Sequence, residues 1–263
     1  MISSETNQQV KDIIKLQKQA KYRNKTSLFI TEGIKMISEA ACSGSLVKIY
    51  ISKSIMEGRK DIPEKLLKEY PYEIVSDKVF SHISDTVTTQ GILGIAKQPV
   101  YNIEDILNDE RHMWLLLDDV RDPGNLGTIL RTAEGAGMSA VIMGKGTADL
   151  FNPKTVRSTM GAIFRMPFIY ASDITDIILN IKNNGYNVYG TAIEGSILYD
   201  KADYTRGAGI VIGNEANGIS DRVMGYITDR ISIPMEGGIE SLNAAVAAAV
   251  VMYEAARQRR AGC

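Results

Sequence analysis

Two stretches near the C-terminus carry the strongest indication of the fold: Ile210-Val-Ile-Gly-Asn-Glu-Ala-Asn-Gly-Ile-Ser220 and Ile233-Pro-Met-Glu-Gly-Gly-Ile-Glu-Ser-Leu-Asn243. In each stretch an apolar strand runs directly into a loop rich in glycine and polar side chains. Proteins with parallel α/β sheets build their ligand sites in this way, at the carboxyl ends of the strands. The two stretches therefore predict an α/β fold with a ligand site in its C-terminal loops.

A third element of the same kind lies upstream. Its sequence is Leu115-Leu-Leu-Asp-Asp-Val-Arg-Asp-Pro-Gly-Asn-Leu-Gly-Thr-Ile-Leu-Arg-Thr-Ala133, which predicts a strand, a Pro-Gly turn and a helix. Asn125 and Arg131 are under two helical turns apart, so both reach the same end of the sheet if the helix begins after Asn125. Taken alone, the turn can be purely structural and Arg131 a solvated charge. The spacing also differs from Gly-x-Gly-x-x-Gly, which leaves NAD binding as a weak alternative.

The order of elements predicts two domains. From Trp114 onward, six apolar strands alternate with helical stretches, which indicates a doubly wound parallel sheet in residues 113–263. Residues 1–98 alternate shorter strands and helices and are expected to form a small α/β domain. Residues 99–112 then form the linker between them.

Composition excludes several classes of protein. The 263 residues contain 44% apolar residues, and 30 Lys and Arg nearly balance 31 Asp and Glu, so the whole chain has no strong field. Cys42 and Cys263 are too few for a disulfide framework and lack metal-ligand spacing, so we expect no metal and a reducing, cytoplasmic location. The longest apolar run, residues 244–253, is too short to cross a membrane, and we expect no membrane association.

Positive charge is concentrated in the first 26 residues, which hold six basic and two acidic side chains. A basic segment with an aromatic residue inside it suits RNA docking through phosphate contacts and base stacking. The same pattern also fits a solvated helix face. The candidate RNA-binding residues are Lys18, Lys21, Tyr22, Arg23 and Lys25.

Taken in order, the three C-terminal segments resemble the SpoU/TrmH family of RNA ribose 2′-O-methyltransferases. Asn125-x-Gly-x-x-x-Arg131-x-Ala133 is similar to the first family motif and Gly213-Asn-Glu-x-x-Gly218 to the second. Ile233-Pro-Met-x-Gly-x-x-Glu-Ser-Leu-Asn243 is similar to the third. The resemblance covers about residues 113 to 260. Upstream, Lys21-Tyr-Arg-Asn-Lys25, Phe29-Ile-Thr-Glu-Gly33 and Gln90-Gly-Ile-Leu93 resemble the substrate-binding domain of many members.

The resemblance implies a deep trefoil knot at the C-terminal end, whose loops clasp S-adenosylmethionine and form a homodimer. It places the cofactor against residues of the matching loops, with Gly195 helping to turn one of them. These cofactor-binding residues are Thr191, Ala192, Gly213, Ile233, Met235, Leu242 and Asn243. One departure is the Ala-Ala-Val-Ala that follows Asn243, where many members have Val-Ser-Val-Ala.

The resemblance also implies the reaction, which is methyl transfer to a ribose 2′-hydroxyl of RNA. Family members are proposed to activate the hydroxyl with the residue equivalent to Arg131, delivered across the dimer. Because a guanidinium stays protonated, we favour stabilisation of the developing alkoxide or a grip on phosphate. The expected catalytic residues are Arg131, Asn125, Glu215, Ser241 and Asn243. On residue pattern alone, Ser241 and Asn243 can instead simply cap the following helix.

The N-terminal domain favours 23S (large-subunit) ribosomal RNA as substrate. Two alternatives stay open: the same chemistry on transfer RNA, and a non-catalytic RNA-binding factor in ribosome assembly. A role in resistance to a ribosome-directed antibiotic also stays open.

Overall fold

The structure, a computed structural model, describes residues 1–58, 62–86, 88–193 and 197–261. Gly195 therefore lies outside the described residues. Contacts along the chain define two units: unit 1 comprises Met1–Pro99 and Asp149–Arg165, and unit 2 comprises Val100–Ala148 and Met166–Cys263. Among the described helices, none is both long enough and apolar enough to cross a membrane.

Unit 1 is built on a mixed sheet of four strands, in the order β1-β4-β2-β3. The β4 strand pairs antiparallel with β1 and β2, and β3 lies parallel to β2. The strands are β1 (Leu28–Glu32), β2 (Leu46–Ser52), β3 (Tyr72–Val75) and β4 (Ile92–Lys97). The helices are α1 (Gln8–Lys18), α2 (Ala20–Thr26), α3 (Ile34–Cys42), α4 (Lys53–Gly58), α5 (Glu64–Glu69) and α6 (Asp77–Ile83).

The basic N-terminal segment forms two helices, because Gln19 is extended between α1 and α2. Arg23 explains the break. Its Nη1 donates to the carbonyl oxygens of Leu16 (2.6 Å) and Gln17 (2.9 Å), two of the last carbonyls of α1. These groups have no partner within the helix that ends there, so the guanidinium satisfies them.

Unit 2 contains a sheet in which the described strands, seven in number, all run parallel, in the order β7-β6-β5-β10-β8-β11-β9. From residue 100 onward the strands are β5 (Met113–Leu117), β6 (Ala140–Met143), β7 (Phe168–Tyr170), β8 (Asn187–Thr191), β9 (Ile197–Leu198), β10 (Ala208–Ile212) and β11 (Asp229–Ser232). The helices of unit 2 are α7 (Ile103–Leu107), α8 (Pro123–Ala136), α10 (Ile174–Asn183), α11 (Asp221–Met224) and α12 (Ala244–Ala261), whereas α9 (Pro153–Ser158) lies in the segment 149–165 of unit 1.

The predicted parallel sheet is confirmed. Its central strands β5, β6 and β10 are fully buried, which accounts for their uninterrupted apolar sequences. Among the described strands of this sheet, β9, a two-residue strand at the edge, is the one that the sequence pattern did not predict. The trefoil knot stays a prediction.

Sheet register places the ligand loops side by side. Val211 of β10 pairs with Gly190 of β8, and Thr191 of β8 pairs with Ile231 of β11. The three strands therefore end at the same edge of the sheet. The loops that begin at Ala192, at Gly213 and at Ile233 start next to one another for this reason.

Residues 149–165 belong to unit 1, although the predicted domain bounds of 1–98, 99–112 and 113–263 put them in the C-terminal domain. Aromatic contacts hold this segment, because the ring of Phe29 lies 5.1 Å from that of Phe151 and 5.8 Å from that of Phe164. Three ion pairs reinforce it: Arg23–Asp149, Asp85–Arg157 and Glu39–Arg165. The domain bounds themselves stay a prediction.

Candidate active site

Three side chains from distant parts of unit 2 form one hydrogen-bonded chain. The Nδ2 of Asn125 donates to Oε1 of Glu215 at 2.9 Å. The Nδ2 of Asn243 donates to Oδ1 of Asn125, also at 2.9 Å. Asn125 thus uses both ends of its amide, one toward each neighbour, and fixes their relative positions. We call this set the Asn125–Glu215–Asn243 chain.

Asn125 is positioned by the start of α8. Asp122 caps this helix, because its Oδ1 accepts a hydrogen bond from the Asn125 backbone N–H at 2.8 Å. Pro123 occupies the first helical position, where a missing N–H costs nothing. The helix therefore begins before Asn125, not after it as the sequence-based geometry assumed. Asn125 lies in the first turn and its side chain reaches the edge of the sheet.

Glu215 is presented by a tight loop after β10. The backbone N–H groups of Asn214 and Gly218 each donate to the other residue's carbonyl oxygen at 2.9 Å. Gly213 is required for this closure, since a Cβ there would lie 2.1 Å from the backbone carbon of Gly218. The Asn214 side chain braces the loop by accepting from Ala216 N and donating 2.8 Å to the carbonyl of Asp119. Glu215 is exposed in this hydrogen-bonded loop.

The side chain of Asn243 both caps α12 and binds Asn125. Its Oδ1 accepts from the backbone N–H groups of Ala245 (2.9 Å) and Val246 (3.3 Å) at the start of α12. Its Nδ2 is left free to hold Asn125. Asn243 therefore caps α12 and also joins Asn125, while its role in a site stays a prediction. Ser241 is exposed and forms no hydrogen bond with another described residue.

Arg131 is not part of the chain. It lies six residues after Asn125 on α8, which is about 9 Å along the helix axis and on a different face. Its side chain is exposed and has no ion pair or hydrogen bond with the rest of the described chain. One helical turn further on the same face is Gly135, where a Cβ would lie 3.1 Å from the Tyr253 hydroxyl of α12. Arg131 therefore lies on the side of α8 that meets α12.

The predicted cofactor residues gather at the ends of β8, β10 and β11. The hydroxyl of Thr191 donates to the carbonyl of Val211 at 3.2 Å, and Ala192 N–H donates to Ile231 O at 2.9 Å. These bonds hold the three strand ends together. Ile233, Met235 and Leu242 are partly exposed in the loop that follows β11, where they form apolar surface.

The loop after β5 also belongs to this edge of the sheet, although its aspartates were not among the predicted site residues. Asp118 Oδ2 accepts from Ser220 N at 2.7 Å, and Asp119 pairs with Arg121. Asp119 has a positive φ of 64°, and Gly146 leaves room for its carboxylate, because a Cβ there would lie 2.3 Å from Oδ1. The Asp119 carboxylate also raises the pKa of Arg121 through a hydrogen bond. Two aspartates directly after a buried strand were the signal available in the sequence.

The candidate RNA-binding residues of unit 1 divide into two groups. Lys18, Lys21 and Lys25 are exposed and form no ion pair with another described residue. Tyr22 is half-buried, and its hydroxyl donates to Asp12 at 3.1 Å. Arg23 is only 3% exposed and binds Asp149, so its guanidinium is not available to RNA. The prediction that Arg23 binds RNA is therefore corrected: its side chain stabilises unit 1.

No group of three or more His, Cys, Asp or Glu residues in the described part of the chain is arranged to hold a metal ion.

Two family profiles match the chain. The SpoU rRNA Methylase family matches residues 112–253, and the MRM3-like substrate binding domain matches residues 7–94. The 23S rRNA (guanosine(2553)-2′-O)-methyltransferase RlmP of Bacillus subtilis is 36% identical over 96% of this chain and 97% of its own length. Among solved structures, the AdoMet-bound rRNA methyltransferase of Sinorhizobium meliloti is 33% identical, covers 97% of both chains and superposes with a TM-score of 0.85. The SpoU methyltransferase AviRb of Streptomyces viridochromogenes, in complex with AdoMet, is 25% identical, covers 98% of this chain and 100% of its own, and has a TM-score of 0.87.

Proposed function

Because the chain belongs to the SpoU rRNA methylase family, we propose that it transfers a methyl group from S-adenosylmethionine to a ribose 2′-hydroxyl of 23S ribosomal RNA. The single observation that carries this proposal is the Asn125–Glu215–Asn243 chain. It joins one polar residue from each of the three motifs at one edge of the sheet. A protein that only binds RNA has no evident need for a fixed carboxylate and two amides at that edge.

The residues at the strand ends fit the cofactor. Ile233, Met235 and Leu242 offer apolar surface, while the loops starting at Ala192 and Gly213 bring backbone groups to the same edge. An adenosine needs both kinds of contact, an apolar face for its ring and backbone groups for its polar edge. We assign the cofactor to Thr191, Ala192, Gly213, Ile233, Met235, Leu242 and Asn243. When bound there, S-adenosylmethionine supplies an electrophilic methyl group on a sulfonium.

The protein's own residues then act on the ribose hydroxyl. A neutral hydroxyl is a poor nucleophile, so positioning and electrostatics must lower most of the barrier. Asn125 and Asn243 fix the Glu215 carboxylate, which would accept the hydrogen bond and then the proton of the hydroxyl. The methyl group would pass to the oxygen as its bond to the sulfonium sulfur breaks, leaving a neutral thioether. The guanidinium of Arg131 stabilises the negative charge that develops on the oxygen. Ser241, exposed in the same loop as Asn243, contacts the ribose.

Arg131 reaches the hydroxyl from the partner subunit of a homodimer. Two observations support this arrangement: Arg131 is remote from the Asn125–Glu215–Asn243 chain on its own α8, and an apolar stripe runs along α12 beside it. Val246 and Tyr253 are each 48% exposed on that stripe, with Val250 between them at helical spacing. An exposed apolar stripe of this kind is typical of a subunit interface.

The RNA substrate docks on unit 1 through Lys18, Lys21 and Lys25, with Tyr22 beside them. Lys21 and Lys25 are four residues apart on α2, where two like charges destabilise a helix. A phosphate backbone bound across both lysines would remove that repulsion. Ribosomal RNA as substrate agrees with the MRM3-like substrate-binding profile over residues 7–94 and with the near full-length similarity to a 23S rRNA enzyme. We place the reaction in the cytoplasm.

The test is transfer of labelled methyl from S-adenosylmethionine to total RNA that lacks modifications, with ribosomal and transfer fractions separated. We expect label in large-subunit ribosomal RNA. Label confined to transfer RNA would show that transfer RNA is the substrate and would leave the proposed methyl-transfer reaction unchanged. No label in free RNA or in large-subunit assembly intermediates, with cofactor bound, would favour the non-catalytic assembly factor.

A further inference from the structure

Arg121 is held beside the Asn125–Glu215–Asn243 chain by a fixed geometry. Its Nε donates to Oδ1 of Asp119 at 3.1 Å, and its Nη2 lies 2.7 Å from Oδ2 of the same carboxylate. Its backbone N–H points at Oε2 of Glu215 at 3.5 Å. The guanidinium is therefore oriented by Asp119 and its backbone is tied to the Glu215 loop.

The position of Asp119 is itself enforced by three features. Its backbone has a positive φ of 64°, a conformation that non-glycine residues seldom adopt. Its carbonyl accepts from the Asn214 side chain, and Gly146 provides space for its carboxylate. A surface ion pair between two nearby residues needs none of these supports. All three features fix the carboxylate of Asp119, which in turn orients the Arg121 guanidinium. This indicates that the orientation of the Arg121 side chain is functionally important.

Most of the guanidinium is available to a ligand. The Arg121 side chain is 70% exposed, and Asp119 occupies only Nε and one side of Nη2. A guanidinium has five N–H donors, so the Nη1 edge remains free, and it contacts no acceptor in the described part of the chain. The pKa of Arg121 is raised by Asp119, so the group stays cationic throughout the physiological pH range.

The surroundings of Arg121 show what kind of group it would bind. Asp118, Asp119, Asp122 and Glu215 bring four carboxylates to this edge of the sheet. An RNA strand that offers its ribose to Glu215 must bring phosphates close to them, at a cost in repulsion. A cation on the outer side of this cluster offsets that repulsion. Planar guanidinium donors match the oxygens of a phosphate.

We propose that Arg121 binds a phosphate of the substrate RNA next to the target ribose and, with Asp119 as its positioning residue, holds that ribose against Glu215. This inference rests on the proposed function. If it is correct, RNA contacts a residue of unit 2 as well as the lysines of unit 1. The same donor geometry also fits a carboxylate, such as that of the cofactor, and the experiment separates the two sources.

The chain contains a closely matched control. Arg111 and Asp109 are also two residues apart and also form a bidentate pair, with Nε–Oδ1 at 2.9 Å and Nη2–Oδ2 at 2.8 Å. The two carboxylates are each 26% exposed. Arg111 precedes β5, whereas Arg121 follows it, so the two pairs are at opposite ends of one strand. Arg111→Gln removes the same charge and the same ion pair away from the site.

The experiment compares Arg121→Gln, Arg121→Lys and Arg111→Gln in the full-length protein. RNA affinity is measured against salt concentration with unmodified 23S ribosomal RNA, and S-adenosylmethionine affinity is measured by calorimetry. For Arg121→Gln we expect the Kd for RNA to rise about tenfold, the log–log salt slope to fall by about one, and the Kd for S-adenosylmethionine to stay within about threefold of the wild type. Arg121→Lys should keep the salt slope and raise the Kd for RNA by about threefold, because the lysine ammonium is a point charge and lacks the paired donors of the guanidinium. Arg111→Gln should match the wild type.

Two results would overturn the inference. One is an Arg121→Gln protein that matches Arg111→Gln in RNA affinity and salt slope. The other is an Arg121→Gln protein with weakened S-adenosylmethionine binding and an unchanged salt slope, which would assign Arg121 to the cofactor. RNA and cofactor affinities are measured without turnover. A wild-type protein that transfers no methyl group would therefore contradict the proposed function without deciding the role of Arg121.

Discussion

The side chain of Asn243 donates a 2.9 Å hydrogen bond to the side chain of Asn125, which lies 118 positions earlier in the chain. Asn125 belongs to the first turn of α8, and Asn243 immediately precedes α12 and caps it. The bond therefore links the starts of two helices. Through Asn125 it also reaches Glu215, so the position of the carboxylate depends on the correct placement of both helices.

Glu215→Gln tests the carboxylate. Glutamine keeps the shape and can still accept the hydrogen bond from Asn125, but it carries no charge and takes no proton. We expect kcat to fall at least about 100-fold, the usual range for loss of an acid–base group. Cofactor affinity should stay within about threefold. Single-turnover methyl transfer and calorimetry measure the two quantities, with Glu104→Gln on α7 as an exposed control. Wild-type kcat in Glu215→Gln would remove Glu215 from proton transfer.

Arg131→Ala should abolish methyl transfer and leave cofactor binding nearly intact. If Arg131 acts on the partner's site, mixing Arg131→Ala chains with Glu215→Gln chains creates hybrid dimers with one complete site. Random exchange between subunits then restores about one quarter of the wild-type rate. No recovery after verified exchange would place Arg131 in its own subunit's site, and full activity of Arg131→Ala alone would exclude it from the mechanism.

Tyr253→Asp should convert the dimer to a monomer, because it introduces a charge into the apolar stripe of α12. Light scattering on a size-exclusion column gives the mass directly. Leu179→Asp is the control, since Leu179 is an apolar residue of comparable exposure on α10. We expect the Tyr253 variant to lose activity together with dimer mass. A Tyr253→Asp protein that stays dimeric would refute the interface on α12.

Lys21→Gln combined with Lys25→Gln should weaken RNA binding and lower the log–log salt slope by about 1.5, because two phosphate contacts are lost. The helix itself should become slightly more stable, since a like-charge pair is removed. The matched control is the double change Lys65→Gln and Lys68→Gln on α5, where both lysines pair with glutamates. Equal salt slopes for the two double variants would show that the lysines of α2 are only solvent-exposed charges and do not bind RNA.

Arg23→Ala should destabilise the protein by about 3 kcal/mol, since it removes one partner of a buried ion pair and exposes carbonyls of α1. Urea denaturation measures this change in the free energy of unfolding. The salt slope of RNA binding should match the wild type under conditions where the variant is folded. An Arg23→Ala protein with wild-type stability and a reduced salt slope of RNA binding would show instead that Arg23 contacts RNA.

The fold of unit 2 was predictable because buried parallel strands produce uninterrupted apolar runs. The β10 strand, enclosed between β5 and β8, is the clearest case. The segment 149–165 was not predictable, because the residues that hold it to unit 1 are scattered. Arg23 illustrates this limit: a lysine-rich neighbourhood favours a solvent-facing interpretation, and only Asp149, 126 positions away, shows that its side chain is buried.

Within the site, Asn125, Glu215 and Asn243 were predicted as a set, and the structure joins them. For Asp119 and Arg121 the sequence offered only one signal, the two aspartates directly after a buried strand. Their importance depends on a backbone conformation and on space left by Gly146, which no spacing pattern reports. The spacing put Arg131 at the same end of the sheet as Asn125 only on the condition that α8 began after Asn125. The helix begins two residues before Asn125 and places Arg131 on another face.

The most direct test of the account is to locate the transferred methyl group on the RNA. Purified protein is incubated with S-adenosylmethionine carrying a deuterated methyl group and with unmodified 23S ribosomal RNA, and the RNA is digested to nucleosides for mass spectrometry. We predict one labelled nucleoside whose mass increase is retained on the ribose fragment and absent from the base. Label on a base, with none on ribose, would contradict the assignment of Glu215, Asn125 and Asn243 to a ribose hydroxyl.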